Sequence, residues 1–253
     1  MNQFKEKIKN GEALLGTFIE LNNPAIAQIA GLAGYDFVIL DGEHGEIAVE
    51  DAANLARAAK LAGTAAIFRV NTNDPTLIGK VLDTGADGVE IPEIGSAEEA
   101  ERAIKGAKFT PEGERGCNRF VHAGEYGRMT SEQFFGQSNA NTIVVLQVEG
   151  QDGARNISDI LKVKGVDVVF IGPYDLSASL GIPGQTEHPK VLAQIDTILK
   201  LGKENGVAIG LYVDSIESAI NWKQRGVQYL ALQTDTVSLY QHFQANTDAF
   251  HAK

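Results

Sequence analysis

Eight short apolar runs recur along the chain, at 15–21, 37–41, 66–70, 88–91, 142–148, 168–171, 208–213 and 229–233. Each is almost continuously apolar and rich in β-branched residues. That pattern predicts parallel strands buried on both faces. The segments between them carry helical spacing. Leu77, Ile78, Val81 and Leu82 follow an Asp74-Pro75 helix start. Ser96 and Glu99 are spaced as a capping box ahead of Ala100, Ala103 and Ile104. Val191, Ile195, Ile198 and Leu199 mark a further amphipathic helix, and Ile216, Ala219, Ile220 and Trp222 the next, which Gly226 ends. Val237, Leu239, Tyr240 and Phe243 mark a last helix. Phe250 keeps its far end apolar, as core or as an arm for a partner subunit.

Eight strands alternating with helices over 253 residues predict an α/β fold, a (β/α)8 TIM barrel with one domain spanning 1–253. The rival, an open doubly wound sheet that binds a dinucleotide, should carry a glycine-rich turn after its first strand. None follows Leu21. The connection between Ile104 and Thr142 is long, rich in glycine and charge, and is expected to be an irregular functional loop.

Composition narrows the partners. The net charge of −11 argues against nucleic acid as the main partner, although a local cluster of donors can still hold a small anion. The single cysteine, Cys117, excludes an intrachain disulfide. The start of the chain is polar, without the apolar run of a signal peptide, and nothing approaches the ~18 apolar residues of a membrane span. A cytoplasmic protein without membrane partners is expected.

In a barrel, chemistry sits at the carboxyl ends of the strands. The second strand is followed by Asp41-Gly42-Glu43-His44-Gly45, and the third ends in Phe68-Arg69-Val70. The fifth ends in Gln147-Val148-Glu149, and the sixth leads into Gly172-Pro173-Tyr174-Asp175. Two carboxylates with open positions suit a hard cation such as Mg²⁺ or Mn²⁺, which can polarise the keto oxygen of a 2-oxo acid. A nearby guanidinium adds charge stabilisation, and a histidine paired with a carboxylate can serve as a base. Taken singly, each has a plainer reading: a strand-end acid as a cap or salt-bridge partner, Asp175 as the cap of the following turn, Arg69 as a rim ion pair. Their shared placement on one end raises the joint reading. A Schiff-base route would need a lysine in the pocket, and Lys162 and Lys164 lie before the sixth strand, at the opposite end.

The segment Leu40-Asp41-Gly42-Glu43-His44, Arg69, and the run from Gly165 through Ile171-Gly172-Pro173-Tyr174-Asp175-Leu176-Ser177 resemble the HpcH/HpaI aldolase family, class II pyruvate aldolases. The resemblance extends from Gly16 to about Asp235. It implies cleavage of a 4-hydroxy-2-oxo acid to pyruvate and an aldehyde. It implies Glu149 and Asp175 as ligands of Mg²⁺ or Mn²⁺, or of Co²⁺. His44 supported by Asp41 would be the acid/base group, and Arg69 would bind the keto oxygen. Gln147 would lie near the pyruvate, the backbone amides around Tyr174 and Asp175 would hold its carboxylate, and Gly172 and Leu211 would complete the substrate-binding set. The family also implies a homo-oligomer, a hexamer built as a trimer of dimers that exchange C-terminal helices. Gly45, the acids Glu90 and Glu93, and the loop after Arg115-Gly116 depart from the family pattern and bear on the aldehyde side. Two other readings stand beside the aldolase. One is a citrate-lyase-like lyase or synthase acting on an acyl thioester or dicarboxylate, with Arg115, Arg119 and Arg128 available for a larger acyl carrier. The other is a non-catalytic 2-oxo-acid-binding protein.

Overall fold

The computed structural model describes residues 3–252; residues 1, 2 and 253 of the expected 1–253 domain lie outside the described residues. Its strands are β1 (Leu14–Ile19), β2 (Phe37–Asp41), β3 (Ala65–Arg69), β4 (Gly88–Ile91), β5 (Ile143–Val148), β6 (Val168–Ile171), β7 (Ala208–Val213) and β8 (Tyr229–Thr234). They pair in parallel in chain order and close between β8 and β1, giving the (β/α)8 barrel. The helices are α1 (Gln3–Lys9), α2 (Pro24–Leu32), α3 (Val49–Leu61), α4 (Pro75–Asp83), α5 (Ala97–Ala107) and α6 (Ser131–Asn141). They continue with α7 (Gln151–Arg155), α8 (Ile157–Ile160), α9 (Pro173–Ser179), α10 (Pro189–Asn205), α11 (Ile216–Gln224) and α12 (Asp235–His251).

Strand alternation sorts the apolar residues into two cores. Val38, Leu40, Ala66, Phe68, Val144 and Leu146 face outward beneath the helices. Phe37, Ile39, Ile67, Val145, Phe170 and Tyr229 fill the lumen. The Phe37 and Tyr229 rings stack there with centroids 4.0 Å apart. Gly16 and Gly210 make room for them: a Cβ on Gly16 would lie 2.2 Å from the Phe37 ring, and one on Gly210 2.9 Å from that of Tyr229. Helix α1 plugs the bottom. Phe4 packs on Phe37, and Lys5 donates to the Thr142 carbonyl at 2.9 Å and pairs with Asp167.

Three local expectations are corrected. The first strand stops at Ile19 rather than at 21, because the next two backbone N–H groups, of Glu20 and Leu21, donate to the Asp235 carboxylate. Ser96 does cap α5, but Glu99 returns its carboxylate to the Gly95 N–H rather than to that of Ser96, so the box is shifted by one residue. The stretch expected to be an irregular loop contains α6, capped by Thr130 and Gln133 in a reciprocal box. A buried polar knot docks that helix: Asn139 exchanges two hydrogen bonds with the Phe109 backbone, and Lys108 donates to the Asn139 and Thr142 carbonyls.

Candidate active site

Strand parity aims Asp41, Arg69, Glu90 and Gln147 into the upper lumen, above the aromatic layer. Asp41 is fully buried. Its Oδ1 accepts Arg69 Nε at 3.0 Å and its Oδ2 accepts Arg69 Nη2 at 2.7 Å. The same Oδ1 accepts the N–H groups of Glu43 and His44, which shapes the turn after β2. Gly45 closes that turn, where a Cβ would lie 2.6 Å from the Asp41 carbonyl oxygen. Glu43 Oε2 takes the Arg69 Nη1 at 2.9 Å, and the guanidinium lies 4.7 Å from the Phe18 ring centroid. Burial works against the Arg69 cation, but the bonds to Asp41 and the nearby charges of Asp41, Glu90 and Glu43 outweigh it, so its pKa rises.

This geometry revises one sequence-based pairing. The Asp41 carboxylate is spent on Arg69 and reaches His44 only through the backbone N–H. The acid beside the mostly exposed imidazole is Glu43, with Oε2 at 3.9 Å from His44 Nε2. Burial, opposed by Arg69 and His44, pushes the Glu43 carboxyl upward.

Glu149 stands just past β5. Its Oε1 accepts the Glu93 N–H at 2.9 Å, and its Oε2 accepts Gln147 Nε2. Glu93 holds a left-handed backbone, φ 56°, to present that N–H. Gly172 packs closely beside it: a Cβ there would lie 3.0 Å from Glu149 Oε2. Burial raises the Glu149 carboxyl, and the neighbouring Asp175 and Glu43 charges add to the rise against the Gln147 and Glu93 hydrogen bonds. Asp175, in the first turn of α9, shares with Glu149, Glu43 and His44 a cleft of 490 Å³. No group of three or more histidine, cysteine or acidic side chains spaced for a metal occurs among the described residues.

One expected site residue, Leu211, points elsewhere. Leu211 is 2% exposed and packs in the outer core against the helix layer; by alternation its neighbour Tyr212 faces the barrel mouth. The Tyr174 hydroxyl turns to β7 and donates to both Asp214 carboxylate oxygens at 3.1 Å. The loop arginines are committed as well. Arg115 is buried on Asp83 and Ser138, Arg119 donates to the Gly127 and Met129 carbonyls, and Arg128 pairs with Glu125.

Glu90, set apart by the sequence as an extra acid on the aldehyde side, lies instead inside the lumen. It is fully buried beside Arg69, accepts the Tyr229 hydroxyl at 3.4 Å, and its Oε1 has no hydrogen-bond partner. Burial pushes its carboxyl up to about 8, with Arg69 opposing. Parity alone could have found it, since it stands two residues after the inward Gly88.

Fold and site together define a (β/α)8 barrel enzyme with an acidic, arginine-backed cleft at the carboxyl ends of its strands. A profile of the HpcH/HpaI aldolase/citrate lyase family matches residues 14–241. A 5-keto-4-deoxy-D-glucarate aldolase of Citrobacter koseri is 33% identical, with 98% of this chain and 96% of that protein covered. An HpcH/HpaI aldolase/citrate lyase family protein from Burkholderia cenocepacia J2315 superposes with a TM-score of 0.94 at 28% identity, covering 100% of both chains. The citrate synthase SbnG superposes with a TM-score of 0.87 at 31% identity, covering 97% of this chain and 96% of that one. The chain belongs to the HpcH/HpaI aldolase/citrate lyase family and is a carbon–carbon lyase. No helix among the described residues is long and apolar enough to cross a membrane.

Proposed function

We propose that this protein is a metal-dependent class II aldolase that reversibly cleaves a 4-hydroxy-2-oxo acid to pyruvate and an aldehyde. The observation that carries the reading is the convergence of Glu149, Asp175, Glu43 and His44 in one cleft, beside an arginine fixed by two carboxylates. Glu149 and Asp175 form an all-oxygen donor pair that leaves positions open for water and substrate, which fits Mg²⁺ or Mn²⁺, and Co²⁺ as a substitute. The space left by the missing Cβ of Gly172 keeps the Glu149 carboxylate in place for such an ion. When bound, the ion supplies Lewis acidity to the 2-oxo group.

The chain's own residues account for the proton and the charge. His44 takes the proton of the substrate 4-hydroxyl as the C3–C4 bond breaks and the aldehyde leaves. Glu43, beside the ring, stabilises the imidazolium that results. The two carboxylates use three of the five N–H donors of Arg69 and hold its plane; the others remain for the oxygen charge that would develop on C2 of the pyruvate enolate. Return of the proton to C3 gives pyruvate. Gln147, Gly172 and the backbone around Tyr174 and Asp175 would line the pyruvate.

Incubation with pyruvate and a small aldehyde, with and without EDTA, tests the reading. Activity should vanish in EDTA and return with Mg²⁺ or Mn²⁺. Full activity in EDTA, or trapping of pyruvate by borohydride, overturns the metal route. His44→Ala and Arg69→Ala should each lose at least about 100-fold in kcat/KM, and full turnover in both would remove the site assignment. The likeness to a citrate synthase favours a second reading, in which the same cleft works on a larger dicarboxylate or acyl thioester. The committed loop arginines count against it, and tight binding of a coenzyme A ester would restore it. A non-catalytic 2-oxo-acid-binding protein would show pyruvate binding without turnover.

The reading includes a homo-oligomer. Along α12 only Asp235 is buried, while Tyr240, Phe243 and Phe250 are 66%, 61% and 83% exposed. Such an apolar face on an extended helix suits a partner subunit, in line with a hexamer assembled as a trimer of dimers.

A further inference from the structure

We propose that Glu90 is a positioning residue for this reaction: as an uncharged acid it leaves Arg69 free for the substrate oxygen, and as an anion it competes for that guanidinium from inside the lumen. The inference rests on the aldolase reading and deepens it, because that reading gives Arg69 a role and Glu90 none.

Closure of the sheet sets the geometry. Glu90 on β4 stands opposite Arg69 on β3 in the strand register. Beneath them lies an aromatic floor, where Tyr229 stacks on Phe37 and meets Phe170 edge-on at 5.8 Å. Glu90 is fully buried above it. Among the described residues, its carboxyl has one hydrogen-bond partner, the Tyr229 hydroxyl at 3.4 Å from Oε2. Its Oε1 has none. Asp41, equally buried, differs: it takes two Arg69 N–H groups and two backbone N–H groups. A buried carboxylate served by a single hydroxyl is far less stable than the neutral acid, so it takes up a proton.

The groups facing Glu90 come from four other strands. Burial has the largest effect and carries the carboxyl up to about 8; Arg69 on β3 and the Tyr229 hydroxyl on β8 oppose the rise, while Asp41 on β2 and Glu149 past β5 add to it. The coupling is mutual, since the Glu90 charge helps to raise Arg69. At pH 7 Glu90 is therefore neutral, and Arg69 answers to Asp41 and Glu43 alone. Those two acids occupy three of its five N–H groups and leave two for the substrate. Loss of the Glu90 proton to solvent places a third carboxylate beside the guanidinium, with an oxygen in need of a donor. The two spare N–H groups then have a competitor, and the new charge opposes the one that develops on the C2 oxygen.

The experiment is a pH profile of pyruvate condensation with glycolaldehyde in Mg²⁺, for wild type and for Glu90→Gln, whose amide keeps the shape and cannot ionise. Between about pH 7 and 9.5 the wild-type kcat/KM should fall at least about fivefold, with a midpoint near 8. Most of the loss should lie in kcat rather than KM, because the opposed charge develops in the transition state. Glu90→Gln should lack this limb. Infrared difference spectra give a second readout that needs neither turnover nor the variant's stability as a reference. Wild type should show a protonated-carboxyl band at pH 7 that disappears by about pH 9.5. Parallel pH profiles for the two proteins, or no protonated carboxyl in wild type at pH 7, overturn the role of Glu90 and leave the aldolase reading standing. No condensation at any pH removes the aldolase reading and this inference with it, whichever way the infrared band behaves.

Discussion

At the scale of single residues, the upper lumen is a contest between burial and charge. Arg69 is 7% exposed and is kept cationic by Asp41 and Glu43. Glu90, also in the lumen, has no comparable partner, and burial raises its carboxyl from an ordinary 4.5 to about 8. The folded state therefore binds this proton more tightly than the unfolded chain. The stabilisation is complete below pH 4.5 and is lost as the pH rises through about 8. Glu90→Gln should flatten the fall in stability between those two values and raise stability at pH 8 by on the order of 3 kcal/mol. Urea unfolding midpoints across that range measure it; parallel curves for variant and wild type would refute it. Gly172→Ala isolates a different cause. A Cβ 3.0 Å from Glu149 Oε2 must displace the flexible carboxylate rather than the backbone. Mn²⁺ affinity should drop about 10- to 100-fold, with the unfolding midpoint little changed, as calorimetric titration and a denaturant curve would show.

At the scale of elements, periodicity was a reliable guide wherever burial was uniform. All eight strands are where apolar runs occur, because parallel strands covered on both faces need apolar residues at every position. The failures occur where a side chain intervenes from far along the chain. Strand β1 ends two residues early because the Asp235 carboxylate captures the backbone of Glu20 and Leu21. Helix α6 was missed because its apolar face is short. Thr130 and Gln133 carried its signal, and its burial depends on Asn139 and Lys108. Asp235 also joins α12 to the barrel, through the N–H groups of Glu20 and Leu21. Asp235→Ala leaves those donors unpaired and should cost about 2–3 kcal/mol. A thermal unfolding midpoint unchanged from wild type would show that water replaces the carboxylate at no cost.

At the scale of the whole molecule, the barrel and α12 behave differently. The barrel buries most of its apolar residues in two cores, although Leu32 and Leu61 on its helices are exposed. Beyond Leu239, α12 leaves Tyr240, Phe243 and Phe250 in solvent. Truncation after Ser238 should therefore leave the far-ultraviolet dichroism of the barrel nearly intact while lowering the native mass. Light scattering decides between this outcome and an assembly that does not use α12, for which the mass per subunit count would stay the same.

The sequence by itself determined the strand order, the barrel and the end at which the polar residues gather. Periodicity of two and of 3.6 residues reports burial directly, and burial is what selects those elements. It also placed Asp41, His44, Arg69, Glu149 and Asp175 at strand ends. The tertiary structure alone decided their partners. Asp41 faces Arg69 rather than the His44 ring because β2 and β3 are adjacent in register, Asp41 opposite Arg69. Leu211 faces the helices and Tyr212 the mouth, a choice set by the barrel register of β7. Glu90 becomes a buried acid only once closure of the sheet removes water from the lumen. Partner choice depends on which strands lie side by side and on what burial does to each charge, and neither is written in local order along the chain.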